Sequence, residues 1–187
     1  MTQLRTPLFL DTEFTGLERS GELISIAIVA GEARWFYAEF TDYSPALLSA
    51  WHHQYVLPYL YFNTNYARPE IPAGCILMQG DSTQIVASLQ TWLAPFGAVE
   101  IWADVLAYDW VFFCELFGGA LHLPDSIFYI PMDFPTLLRA HQLDPDTDRL
   151  ALAGLPADTN RHNALTDARI LSICYRKLLA QSGTLQK

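Results

Sequence analysis

At 187 residues, with 51% apolar and 13% aromatic side chains, the chain has the length of one ordinary domain and enough apolar material for a single core, which excludes a disordered polypeptide. Its formal net charge of −9 is the wrong sign for a protein that grips long duplex nucleic acid by its phosphates. No run reaches the roughly 18 apolar residues of a membrane span, and no basic segment leads into an apolar core with a cleavage site at the N-terminus.

These features predict one domain over residues 1–187, soluble and cytoplasmic, with no membrane partner. Cys75, Cys114 and Cys174 are odd in number and form no CxxC pair, so they are expected to be reduced and structural. Nine of the eleven basic residues are arginine, which suits a few bidentate phosphate contacts better than a diffuse cationic surface.

In chain order, Leu8 to Asp11 is a short apolar run ending in acids, and Glu22 to Ala30 is rich in β-branched residues. Arg34 to Phe40 alternates aromatic and polar side chains, so the three predict an antiparallel start to a sheet. Ser44-Pro45 reads as a cap with proline in the first turn of a helix through Ala46 to Trp51. His52 and His53, on that segment, are expected at the surface. Tyr66 to Gly80, broken by Pro69, Pro72 and Gly74, is expected to be a surface loop bordering a groove.

A second helix is expected from Ser82 to Leu93, a buried strand over Val99 to Ala103, and a helix from Tyr108 to Phe117 stopped by Gly118-Gly119. A capped helix over Asp133 to Gln142 and a long helix from Asn163 to Gln181 complete the chain. Strands first, then strands and helices in alternation, predict an α/β fold: a mixed sheet, its first three strands antiparallel, flanked by helices.

Two acidic motifs carry the chemistry. Asp11 and Glu13 stand two apart on a strand, so both carboxylates project to one face. An isolated Asp-x-Glu also occurs as a solvated loop start, but here Phe9, Leu10, Phe14 and Leu17 crowd the pair, and desolvated acids favour a cation. His162 and Asp167 are five apart, about 140° around a helix, so they cannot share a helical face. The helix should begin between them, with Asn163 as cap, Asp167 in the second turn and His162 on the incoming loop, where its ordinary pKa near roughly 6.5 suits a general base. In the middle of the chain, Asp104 follows a strand and Asp109 opens a helix among Tyr108, Trp110 and Phe113. Asp109 is preferred for the site, with Asp104 as a helix cap or supporting partner.

With these residues in place, the chain resembles the DEDDh 3′-5′ exonucleases of the RNase H-like fold: Asp11-x-Glu13, Tyr108-Asp109 and His162-x4-Asp167 follow the family order. Asp-Thr-Glu-Phe, Glu22-Leu-Ile-Ser-Ile, Val56-Leu57-Pro58 and His162-x-Ala164-Leu165-x-Asp167-Ala168-Arg169 are similar to the small bacterial polyadenylate-specific exoribonuclease AS type. One position departs: many relatives carry Asn four residues before the second-motif acid, where this chain has Val105 beside Asp104.

The resemblance implies stepwise release of nucleoside 5′-monophosphates from the 3′ end of a single strand, RNA in preference to DNA, with two Mg²⁺ or Mn²⁺ ions and a homodimeric assembly. Asp11, Glu13, Asp109 and Asp167 would be the metal ligands and His162 the base. Two divalent cations would offset four of the nine excess negative charges. The backbone near Phe14 would meet the terminal ribose and Leu17 would pack on the last base. Trp110 is the candidate for base stacking among the five tryptophans, and Arg161 for a phosphate contact. A single-strand DNA exonuclease or a scavenger of short oligonucleotides would use the same residues, whereas a non-catalytic nucleic-acid module would be expected to lose one of the five. Selection for RNA needs contacts to the 2′-hydroxyl, which no residue type announces.

Overall fold

The first apolar run forms an inner strand of the sheet, and its alternating side chains seed both halves of the core. In the computed structural model, residues 5–18, 20–63 and 66–184 are described, with side chains through residue 180. β1 (Thr6–Phe14), β2 (Leu23–Ala30), β3 (Arg34–Phe40), β4 (Ile76–Gly80), β5 (Val99–Ala103) and β6 (Met132–Asp133) form one six-stranded sheet in the order β4-β3-β2-β1-β5-β6. β1, β2 and β3 pair antiparallel, while β4, β5 and β6 join parallel to their neighbours. This is the RNase H-like mixed sheet, with the antiparallel start that the β-branched runs predict.

Residues of alternate parity divide between two helical layers. Leu8, Leu10, Ile26, Ile28, Phe36 and Ala38 pack with α2 (Ser82–Leu93) and α3 (Ala107–Leu116). Phe9, Ala27, Val29, Trp35 and Tyr37 pack with α6 (Ala164–Thr184) and, at one end, α4 (Phe134–Ala140) and α5 (Arg149–Ala153). Each fully buried Leu, Ile, Val or Phe among them contributes about 1.5–3 kcal/mol. Asp81 and Asp133 cap α2 and α4 by accepting from the backbone of Gln84 and Thr136, at 2.9 and 2.8 Å. Gly118 and Gly119 end α3 at φ 83° and 112°, where a side chain would be strained. The three cysteines are free.

The structure corrects the sequence-based expectations in several places. Ile76–Gly80, expected as the end of a loop, is the edge strand β4; the proline and glycine punctuation stops before it, and β3 supplies the partner. The helix expected over Ala46 to Trp51 is instead a 3₁₀ turn at Pro45–Leu47 followed by α1 (Ala50–Tyr55), because Ser49 makes a fresh capping box with His52. β6 and α5 were not anticipated, being too short to show a period. His52, expected at the surface, is 7% exposed.

Candidate active site

The end of β1 meets the start of α6. Asp11 and Glu13 project from the β1 face covered by α6, and Asp167 lies in the first turn of that helix, a turn earlier than anticipated. One oxygen from each of the three carboxylates lies within 4.8 Å of the others. The helix starts where it does because the Asn163 side chain accepts from Thr166 N–H at 3.2 Å and donates to Tyr59 O at 2.8 Å. Behind Glu13 the pairing of β1 with β2 shifts register, which ends the regular ladder at the site.

Burial and mutual repulsion hold these acids above their ordinary range. Asp11 is raised well above it by desolvation, then by Asp167, Asp109, Glu13 and Asp104. Desolvation, then Asp167 and Asp109, push Glu13 up to about 8. Asp167 is raised to about 6 by desolvation, against the opposing hydrogen bonds from the backbone of His162 and Asn163. Oxygen donors that repel one another in a desolvated pocket suit a hard divalent cation, which stabilises all their charged forms at once. A cavity of about 300 Å³ opens on them, lined also by Val105, Arg149, Arg161 and His162.

Asp104 and Asp109 have distinct surroundings. Asp109, 8% exposed, accepts from both the backbone N–H and the hydroxyl of Thr12, and desolvation raises it to about 6. It stands outside the three-oxygen group but close enough to raise Asp11 and Glu13. Asp104 is not a helix cap: Arg149 holds it through Nε and Nη2, each at 2.9 Å. That guanidinium also donates to the carbonyls of Pro145, at 2.8 Å, and Thr147, tying α5 to the end of β5.

His162 sits on the loop before α6, as its spacing predicts, at φ 64°, in the left-handed region. Its backbone N–H donates to Asp167 Oδ2 at 2.8 Å, and its ring lies 4.9 Å from Trp51 and 6.3 Å from Tyr55. Desolvation, then Arg161, lower its pKa, so the imidazole is neutral at neutral pH. Arg161 lines the cavity and pairs with Asp148 at 2.7 Å.

Leu17 is 64% exposed beyond β1. The Phe14 ring packs 5.0 Å from Phe112 and 6.0 Å from Tyr108. Trp110, the expected base-stacking residue, is partly buried: its ring stacks 5.7 Å from Phe113 against the α2–α3 core, and it is not among the residues lining the cavity. One residue beyond Asp109 is about 100° around the helix, which turns Trp110 away from the site. Sequence reasoning missed Thr12, Arg149, Trp51 and Tyr55, which contact site residues from distant parts of the chain. Only Thr12, lying between Asp11 and Glu13, carried a positional signal.

Three comparisons bear on this geometry. The family described as "3′-5′ exoribonuclease Rv2179c-like domain" matches residues 6–179. The 3′-5′ exoribonucleases MT2234.1 and Rv2179c, from two strains of Mycobacterium tuberculosis (CDC 1551 / Oshkosh and ATCC 25618 / H37Rv), are each 32% identical over 164 residues, 86% of this chain and 86% of theirs. The crystal structure of cell-death related nuclease 4 (CRN-4) superposes with a TM-score of 0.63 at 15% identity over 94% of this chain, which establishes a shared fold. This chain covers 64% of CRN-4's length.

Proposed function

We propose a two-metal mechanism for this chain, which belongs to the Rv2179c-like 3′-5′ exoribonuclease family and is a metal-dependent 3′-5′ exoribonuclease. The observation that carries the mechanism is the convergence of Asp11, Glu13 and Asp167, with one oxygen of each within 4.8 Å of the others at the mouth of a cavity. Two Mg²⁺ or Mn²⁺ ions, when bound, would supply Lewis-acid charge for the attacking and leaving oxygens of an in-line displacement. Asp11, Glu13 and Asp167 would hold these ions together with Asp109, which Thr12 orients.

His162 is the general base. Its lowered pKa leaves the imidazole free to take the proton of the attacking water, and its loop position brings it to the cavity without making it a ligand. Arg161, half-exposed at the rim, exchanges Asp148 for a phosphate of the substrate. The backbone at Phe14 meets the terminal ribose, and Leu17 packs on the last base.

The substrate is the 3′ end of a single strand of RNA, and the product is a nucleoside 5′-monophosphate. A net charge of −9 favours a short, locally held strand over a long duplex. The enzyme works as a homodimer in the cytoplasm. Digestion of end-labelled poly(A), poly(U), mixed RNA and single-stranded DNA with Mg²⁺ or Mn²⁺ tests this assignment. The expected result is a ladder shortened from the 3′ end, faster on RNA. Absence of a ladder, or shortening from the 5′ end, overturns it; equal rates on DNA make it a general single-strand exonuclease.

A further inference from the structure

The acids of the site are carried by β1, α3 and α6, whereas among the described residues the ring of His162 takes its aromatic contacts from another element. Its backbone N–H is fixed by Asp167, which leaves the imidazole free to turn about its own side-chain bonds. What the ring meets is α1: the indole of Trp51 lies edge-on at 4.9 Å with an interplanar angle of 77°, and Tyr55, one turn on, lies at 6.3 Å and backs the indole at 5.9 Å. Edge-to-face contact of this kind favours one ring orientation over others.

α1 is itself tied to the strand bearing the acids. Ser49 N–H donates to His52 Nδ1 at 2.9 Å, so Nδ1 is the acceptor and the proton resides on Nε2. Nε2 then donates to the carbonyl of Phe14 at 3.1 Å, directly after Glu13. His52 is 7% exposed and its ring lies 5.4 Å from that of Trp51. A continuous set of contacts thus runs from Glu13–Phe14 through His52 and Trp51 to His162.

We propose that Trp51, anchored through its neighbour His52 and backed by Tyr55, is a positioning residue that sets the His162 ring over the acidic cavity. This rests on His162 being the base of the proposed function. The half-exposed indole then has a reason to stand against His162, which itself lines the cavity: among the described residues, the aromatic contacts of the His162 ring come from α1 and not from an element that carries the acids. His52, the histidine of the pair that is buried, serves as the link between strand and clamp.

The test is a cycle of Trp51→Ala, His162→Ala and the double variant, followed as single turnovers of a labelled RNA pentamer, with melting temperature and Mn²⁺ affinity measured on each chain. The expected result is a loss of about tenfold to a hundredfold in rate for Trp51→Ala, with half-saturation and Mn²⁺ affinity within about twofold of wild type. Trp51→Phe, which keeps an aromatic edge, restores most of the rate. In the His162→Ala background, Trp51→Ala costs nothing further, because residues acting through one another are not additive.

An unchanged rate in Trp51→Ala overturns the proposal. So does a weaker half-saturation at unchanged rate, which would assign the indole to a nucleobase, or a full additional loss in the His162→Ala background. If Trp51→Ala melts early, Trp51→Leu takes its place in the cycle, since it fills much of the volume without an aromatic edge. A wild-type chain inactive on the pentamer counts against the proposed function; an active wild type with an uncoupled Trp51 counts against this inference alone.

Discussion

Thr12 donates twice to Asp109: its backbone N–H and its hydroxyl reach the same oxygen, Oδ1, at 2.9 and 2.7 Å. β5 pairs with β1 only as far as Leu10 and Ala103, so the next exposed N–H of β1 is taken by a carboxylate from α3 in place of a strand. Those hydrogen bonds oppose the desolvation that raises Asp109. Thr12→Val removes the hydroxyl donor at nearly constant volume. It is expected to destabilise the protein by about 1–3 kcal/mol, to raise Asp109 further, and to slow RNA degradation at neutral pH, with Thr12→Ser close to wild type. Denaturant unfolding and rates on the same preparations check this; unchanged stability and rate in Thr12→Val would contradict it.

Glu13 separates stability from activity. Its carboxyl is pushed up to about 8 by burial and by Asp167 and Asp109, so its ionised form strains the metal-free protein. Glu13→Gln removes that charge and should abolish RNA degradation while raising the melting temperature in EDTA at about pH 8. A melting temperature equal to or below wild type would show that the repulsion is already relieved.

The same shifts give the metal-free protein a definite pH dependence. Glu13, Asp109 and Asp167, with folded values of about 8, 6 and 6, all lie above their ordinary range. The folded chain therefore binds more protons than the unfolded chain between about pH 4 and about pH 8, and stability is lost as pH rises through the folded values. Melting temperature in EDTA should fall from about pH 5.5 to about pH 8.5, and Mn²⁺ should raise it more at the upper end, where it need not displace protons. A metal-induced rise that is the same at both ends would contradict this.

Arg161 has two expected roles that one variant exposes together. It is half-exposed and paired with Asp148, and its charge helps lower the pKa of His162 after desolvation. Arg161→Gln should raise KM for RNA several-fold, about the effect of one lost phosphate contact. It should also move the acidic limb of the rate profile to higher pH, since the imidazole loses a positive neighbour. A changed KM with an unmoved limb would assign the limb to a group other than His162.

How legible the site was follows from the range of each interaction. Asp11 and Glu13 could be placed together because a strand repeats every two residues, and Asn163 could be recognised as a cap because capping acts within one turn. The two halves of the sheet core were equally local, since β1, β2 and β3 follow one another in the chain.

What was hidden depends on partners far away in sequence. Arg149 lies 45 residues from Asp104, and nothing near Asp104 indicates that it is already neutralised. The buried His52 is satisfied by the carbonyl of Phe14, 38 residues earlier, a partner its own neighbours do not announce. β4 and β6, five and two residues long, owe their existence to neighbouring strands and not to their own pattern. Trp110 adjoins Asp109 in sequence, but the helical step sets its ring against Phe113, a packing partner that proximity to Asp109 does not indicate.

Calorimetric titration of Mn²⁺ into the wild-type chain and Asp11→Asn at about pH 8 tests the central claim most directly, because Asp11 is the carboxylate on which all the others converge. Two ions should bind the wild type, and Asp11→Asn should lose both binding events while retaining its far-ultraviolet spectrum. Wild-type-like Mn²⁺ binding by Asp11→Asn would contradict the account.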